Sequence, residues 1–530
     1  MRGGKIVAAI VCAVAVLATS CSPPPDASGG GGDGIVKYAA TAKPSHLNPL
    51  ATFLAGDTTV LTLLQDTLFV ADQNGKYQPR LAEKWDVSDD ATTYTFHLRK
   101  GQKWSDGTPF TAKDVAFSLN LYANPKVASP QSTRLAGIKG YAEYQSGAAT
   151  SLAGVRADGD DTVVVELSTP DAGFLSLIGA AMYLFILPEK VFATKDPTSV
   201  MSDKWWFEQK PGMGPFTLQE LKPDQHVIVK RNPNFRSPVK FDQLYLNFVT
   251  PEVAAGQLGT KEADIAPVVP VESQSVEAMD GVRIEKRESP GFVRFAVNMR
   301  QPYLADVRVR QAMLYALDRK GMIKAALNDF GTVQNSVFMT DWALPDGLND
   351  YAQDVDKARE LLTQAGWDTN RELVIPYDPN QSDRVAMLNI AGENLKAVGI
   401  KTRLLPDPKI DSLKAGSWDI YLFGGGVYPI DPATLSPILT CAQVYPKGGN
   451  IPGFCDQRLD QLMAEGASTT DRETRAKSYQ EAAKIENEQV PYLWIVRTQT
   501  LAGVSDRVRG YVPWGDITMS FIDVDKWTVS

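Results

Sequence analysis

The 530-residue chain carries 54 Lys and Arg against 62 Asp and Glu, a formal net charge of −8, with three histidines and four cysteines. With the charge spread and no basic stripe, a nucleic-acid surface is excluded, and so few His and Cys leave little for a metal or thiol centre. The length exceeds what one hydrophobic core fills, so two or three lobes are expected.

Residues 1–20 read as an export signal. Arg2 and Lys5 precede the apolar run Ile6–Ala18, which is too short to span a bilayer. Ala18-Thr19-Ser20-Cys21 resembles a bacterial lipobox, in which Cys21 is lipidated and becomes the first residue of the mature chain. Ala18 stands where an aliphatic residue is usual, and the alternative is an ordinary secretory signal cleaved nearby. Residues 21–34 form a tether: SPPPDASGGGGDG has no apolar side chain to bury and reaches roughly 20 Å as a coil. No other stretch is long and apolar enough to cross a bilayer. A role in membrane transport therefore needs a separate channel-forming partner. With Cys12 lost in the leader and Cys21 lipidated, Cys441 and Cys455 remain. They flank a Pro- and Gly-rich loop and read as one disulfide of an exported protein, worth about 3 kcal/mol in the chain-entropy picture.

After the tether the pattern predicts a strand at Gly34–Thr41, a loop at Lys43–Leu50 (KPSHLNPL) and a helix at Asp57–Leu68. Tyr94, Phe96 and Leu98 alternate with Thr95, His97 and Arg99, as a half-buried strand requires. Trp104–Leu119 (WSDGTPFTAKDVAFSL) then reads as a turn at Ser105-Asp106-Gly107 and a helix N-capped by Thr111, with Asp114 as its capping partner. Thr162–Leu167 is a strand. Gly212 and Gly214 in PGMGPFTL make a tight turn before the strand Phe216–Leu221. Ala254–Ile265 (AAGQLGTKEADI) is a helix running into a strand, and Leu304–Leu317 is an amphipathic helix with Val309, Ala312, Met313 and Ala316 on its packed face.

Trp104–Leu119, the two ends of the chain, the G-x-G-P-F turn and the Leu304–Leu317 helix together resemble the family 5 extracellular solute-binding proteins, which feed peptide- and nickel-type ABC importers. The resemblance covers nearly all of the chain from Val36 onward. It implies an α/β two-lobe periplasmic-binding-protein-like fold (type II, cluster C-like) with an extra small outer domain. Lobe I would be discontinuous, at 35–58, 186–272 and 497–530. The outer domain would be 59–185 and lobe III 273–496.

Within lobe III, Glu372–Tyr377, the helix Asp383–Val398 ended by Gly399, and Ile400–Leu405 form a βαβ unit, and Asp419–Phe423 adds a strand. A largely parallel sheet is therefore expected. A helix capped by Asp354 and closed by Gly366 precedes this unit. Helices at Arg458–Glu465 and Asp471–Gln489 follow it, then a buried strand at Pro491–Val496.

Catalytic chemistry is not found. His46, His97 and His226 lack metal-ligand spacing, no nucleophile elbow or phosphate loop is present, and Asp89-Asp90 and Asp160-Asp161 sit in turns. No cofactor or metal is expected, and the chain is not read as an enzyme. A binding reading fits better, and its strongest segment is Leu422–Thr434 (LFGGGVYPIDPAT), which leaves the carboxyl end of a strand, where α/β clefts form. In peptide-binding relatives a similar segment carries a Trp, an Asp that pairs with the peptide amine, and a later acidic-Pro step. With Asp431-Pro432 as that step, Gly425 stands at the Trp position and Tyr428 at the Asp position. Tyr428 offers a neutral hydrogen bond and a ring, and Gly424, Gly425 and Gly426 permit close approach, so a larger, more neutral ligand is favoured. The alternative is a flexible glycine turn with Tyr428 packed on the lobe and Asp431 still reaching the ligand. Gly56, in the segment after the first loop, and Trp342 and Trp494, as stacking platforms, complete the candidate ligand-binding residues. The ligand candidates are an oligopeptide, an oligosaccharide or a peptide-like metabolite. The resemblance implies a monomer, lipid-anchored on the outer face of the cytoplasmic membrane and serving ABC permease subunits by hinge closure. A regulatory or scaffolding lipoprotein of the same fold is the alternative.

Overall fold

Two long strands, Val282–Val297 and Tyr492–Ser505, organise the molecule. The computed structural model describes residues 34–51, 54–72, 76–179, 184–409, 411–424, 431–515 and 519–530. The two strands pair antiparallel along nearly their whole length, with the register slipping between Glu288 and Phe292. Pro290 and Gly291 fall inside that slip: proline has no N–H for the ladder and glycine weakens it, so a bulge forms there. Arg497 braces the bulge, its Nε donating to Ser289 O at 2.9 Å and its Nη1 lying 3.4 Å from Glu288.

Around this pair a nine-stranded sheet assembles. Its order is Ile420–Gly424, Val282–Val297, Tyr492–Ser505, Ile265–Val268, Ile35–Ala40, Gln243–Phe248, His226–Arg231 and Phe216–Lys222, with Gly331–Val333 also against Tyr492–Ser505. Only Ile35–Ala40 pairs in parallel, with the strands on either side of it. On one side of the bulge a core draws on residues 36–70, 185–265 and 502–527, among them Tyr38, Leu64, Phe216 and Trp527. On the other side, Phe295, Met313, Leu388 and Ile495 belong to a second core, and Phe292, Trp418, Tyr479 and Trp494 to a third. Residues 50–213 supply a further core around a four-stranded antiparallel sheet of Ala82–Val87, Thr93–Leu98, Thr162–Glu166 and Val155–Asp158. In Thr93–Leu98 the residues Tyr94, Phe96 and Leu98 are buried and alternate with half-buried partners, as the sequence pattern requires.

Helix ends follow their caps. Thr111 and Asp114 form a reciprocal capping box at Ala112–Ala123. Asp354 caps Val355–Gln364, and Gly366 (φ +68°) and Gly399 (φ +88°) occupy the left-handed region that ends helices. Among the described residues no helix is long and apolar enough to cross a membrane.

The expected largely parallel sheet needs correcting. Glu372–Tyr377, the helix Ser382–Ala397 and Lys401–Pro406 do form a parallel βαβ unit. The next strand, Ile420–Gly424, ladders antiparallel to Val282–Val297 instead. The physical reason is local. Asp419 takes the Val374 N–H on its Oδ2 (2.7 Å) and gives its own N–H to Val374 O (3.0 Å), which ends the parallel contact. The unpaired edge of the long strand then supplies the ladder.

Candidate ligand-binding site

The segment Leu422–Thr434 begins as the strand Ile420–Gly424 and is resumed at Asp431. Gly425, Gly426 and Tyr428 lie outside the described residues. Gly424 lies against a side chain that the sequence did not point to. A Cβ there would lie 2.5 Å from Nε of Arg384, whose guanidinium crosses the glycine. Arg384 comes from the first turn of the helix Ser382–Ala397. Its Nε is buried and makes no hydrogen bond to any described residue, and burial pulls its pKa down while Asp383 and Asp378 oppose the shift. With Tyr377, Asp378, Tyr421 and Phe423, Arg384 and Gly424 line a cavity of about 130 Å³. Tyr421 stacks on Phe423 at 4.6 Å, and burial, with Asp407 and Asp378 nearby, pushes its phenol up to about 12. Arg384 is half-buried, and its Nε, unpaired among the described residues, offers a charged donor to an anion entering the cavity. This cavity can therefore hold a carboxylate or a similar oxyanion.

Asp431 has a different role from the one expected. Its Oδ1 accepts from Arg475 Nη2 at 2.6 Å and from the N–H of Ala433 at 3.0 Å, capping the turn Pro432–Leu435. Arg475 Nε donates to Gly466 O at 2.8 Å, and both side chains of the pair are buried. The Asp431 charge is thus matched within the protein and is not free to pair with a ligand cation. Its backbone N–H reaches Ser176 Oγ at 3.3 Å. Together with Ala172 N–H to Ala467 O at 2.8 Å, this contact joins the core of residues 50–213 to the opposite lobe. Tyr77, Tyr94, Trp342, Asp431, Arg472 and Arg475 line a cavity of about 330 Å³ at that junction. Trp342 is therefore cavity-lining, with the Arg472 guanidinium 3.7 Å above its ring.

Two other candidates turn out to be structural. Trp494 is 2% exposed, packed against Phe292 (5.6 Å) and donating from Nε1 to Glu486 at 2.7 Å, so it has no face for a ligand. At Gly56 a Cβ would stand 2.1 Å from Lys43 O. The neighbouring Asp57 gathers the N–H groups of Ser45, His46 and Leu47 at 2.8, 3.0 and 2.9 Å, which seats the first loop on the helix Ala55–Leu64. Cys21 lies outside the described residues. Cys441 and Cys455 have their sulfurs within bonding distance and their Cα atoms 4.5 Å apart. Arg384 and Arg472 were missed by sequence reasoning. Each sits in the first turn of a helix among other charges, where sequence alone offers nothing to separate it from a solvated arginine.

The family described as bacterial extracellular solute-binding proteins, family 5 Middle, matches residues 76–445. Heme-binding protein A of Haemophilus influenzae is 29% identical over 477 residues, 84% of either chain. The dipeptide-binding protein of Escherichia coli is 27% identical over 498 residues, 90% of this chain and 88% of its own. The crystal structure of the ABC transporter substrate-binding protein CtaP from Listeria monocytogenes superposes with a TM-score of 0.83 at 24% identity, covering 94% of this chain and 100% of that one. The fold is accordingly the α/β two-lobe architecture of periplasmic solute-binding proteins. Hydrophobic cores on either side of a bulged strand pair, and a family match over well above half of its length, place this chain among the bacterial extracellular solute-binding proteins of family 5.

Proposed function

We propose that this chain is the substrate-binding component of an ABC importer, capturing a peptide-like or other oligomeric solute by closure of its lobes. The observation that carries the reading is Arg384: a half-buried guanidinium whose Nε is unpaired among the described residues, lining a cavity beside Gly424. The solute is read as presenting a carboxylate there, since a planar guanidinium fork matches that group. With Tyr428 where peptide-binding relatives place an amine-binding Asp, the solute's binding energy would come from its anionic and apolar parts. The bulged strand pair supports a hinge, because the ladder of these two long strands is already broken at Glu288–Phe292. We assign lobe I to 35–58, 186–272 and 497–530, the outer domain to 59–185, and lobe III to 273–496. Export by residues 1–20, lipidation at Cys21, tethering by residues 21–34, a Cys441–Cys455 disulfide and a monomeric state complete the reading. No covalent chemistry is assigned to it.

Native mass spectrometry of the mature protein, before and after denaturation and refolding, tests the reading. A bound mass lost on refolding and bearing a carboxylate is expected. Arg384→Gln should then weaken that solute about tenfold or more, the scale of one charge-assisted hydrogen bond. A bound solute that Arg384→Gln leaves unaffected would remove Arg384 from the site.

A further inference from the structure

We propose that the cavity between the outer domain and lobe III is a second binding subsite, in which Arg472, stacked on Trp342, takes a carboxylate-bearing group of the solute. The inference rests on the solute-capture reading above and adds to it the chemistry of a second contact point.

The walls come from distant parts of the chain. Tyr77, Tyr94 and Leu175 stand on one side and Trp342, Asp431, Arg472 and Arg475 on the other. The hydrogen bonds from Ala172 to Ala467 and from Asp431 to Ser176 hold the walls together beside the cavity. At about 330 Å³ the space suits a small organic group. It borders Asp431 just as the Arg384 cavity borders Gly424, so the two cavities flank the two ends of one short segment.

Charge decides what the space accepts. Arg475 is spent on Asp431 and Gly466, and the nearby Asp171 accepts the Gly173 N–H at 2.9 Å with its carboxyl pushed up by burial. Arg472 and Lys76 remain, and neither side chain makes a hydrogen bond or ion pair with any described residue. The lining thus carries three cations, Lys76, Arg472 and Arg475, against one carboxylate, Asp431, a balance that favours an anionic group. The Trp342 ring covers one face of the Arg472 guanidinium and leaves its edge donors open, the geometry that binds a carboxylate through two hydrogen bonds. Because the group touches both walls, its binding stabilises the closed arrangement over the open one.

The probe is benzoate, with benzamide as its neutral counterpart, titrated against the mature protein and read by tryptophan fluorescence. Saturable quenching by benzoate and not by benzamide is expected. Affinity should fall about tenfold in Arg472→Gln and only partly in Arg472→Lys, which keeps the charge without the fork. Unaltered melting temperatures would show that both variants fold. Equal binding of benzamide, an undiminished response in Arg472→Gln, or no saturable response up to the solubility limit of benzoate would each overturn the inference. A response abolished by Arg384→Gln and indifferent to Arg472→Gln would also overturn it, while leaving the solute-capture reading standing.

Discussion

Asp431 shows how residue type and position can be read correctly and the role still missed. Its acidic-Pro step marked it as a site residue, yet the charge is consumed by Arg475, 44 residues away in sequence and 2.6 Å away in space. Asp431→Ala should cost about 3–5 kcal/mol, because it leaves Arg475 buried without a counter-charge, and chemical denaturation of the variant checks this. Glu486 went unnoticed in an ordinary charged helix, and it lies wholly inside the third core. It accepts from Trp494 Nε1 at 2.7 Å and Ser336 Oγ at 2.9 Å, with Tyr492 and the Arg294 guanidinium nearby. Burial raises its carboxyl to about 7 from 4.5, against the pull of those donors and of Arg294. The folded protein then keeps a proton that the unfolded chain gives up between those two values. The stability gained is complete below pH 4.5 and is lost as pH rises through 7. Glu486→Gln should therefore melt above the native protein at pH 8, by on the order of 3 kcal/mol, with the gap closing at pH 5. Melting curves across that range settle the sign.

Elements were the most legible level, because their signals are local. Thr111 with Asp114, the Asp354 cap, and the terminating Gly366 and Gly399 all act through groups within four residues, and each is found where the sequence puts it. Thr111→Ala should cost about 1 kcal/mol, the usual worth of an N-cap side chain, measurable as a lower urea midpoint at unchanged slope. What the elements pair with was less legible. Ile420–Gly424 reads as the third strand of a parallel unit, but Asp419 closes that unit and turns the strand to the long antiparallel neighbour. Strand pairing depends on which edges are left open, and that is a property of the assembled sheet.

For the molecule as a whole, the contact of Ala172 and Ser176 with Ala467 and Asp431 carries the sharpest consequence. A Cβ on Gly173 would lie 2.5 Å from the Ala433 side chain, so Gly173→Val should push the two apart. Small-angle scattering should then give a larger radius of gyration for the variant, and any co-purifying solute should bind more weakly. The amino-acid sequence by itself determined the family, the fold class and most elements, through turns, caps and periodicities that operate over a few residues. The leader, tether and lipobox readings rest on composition alone, which needs no packing. Only the tertiary structure decided that Asp431 is neutralised, that Trp494 and Gly56 serve packing, and that Arg384 and Arg472 line cavities. Whether an arginine ends on a cavity wall is set by neighbours remote in sequence, so no local pattern records it.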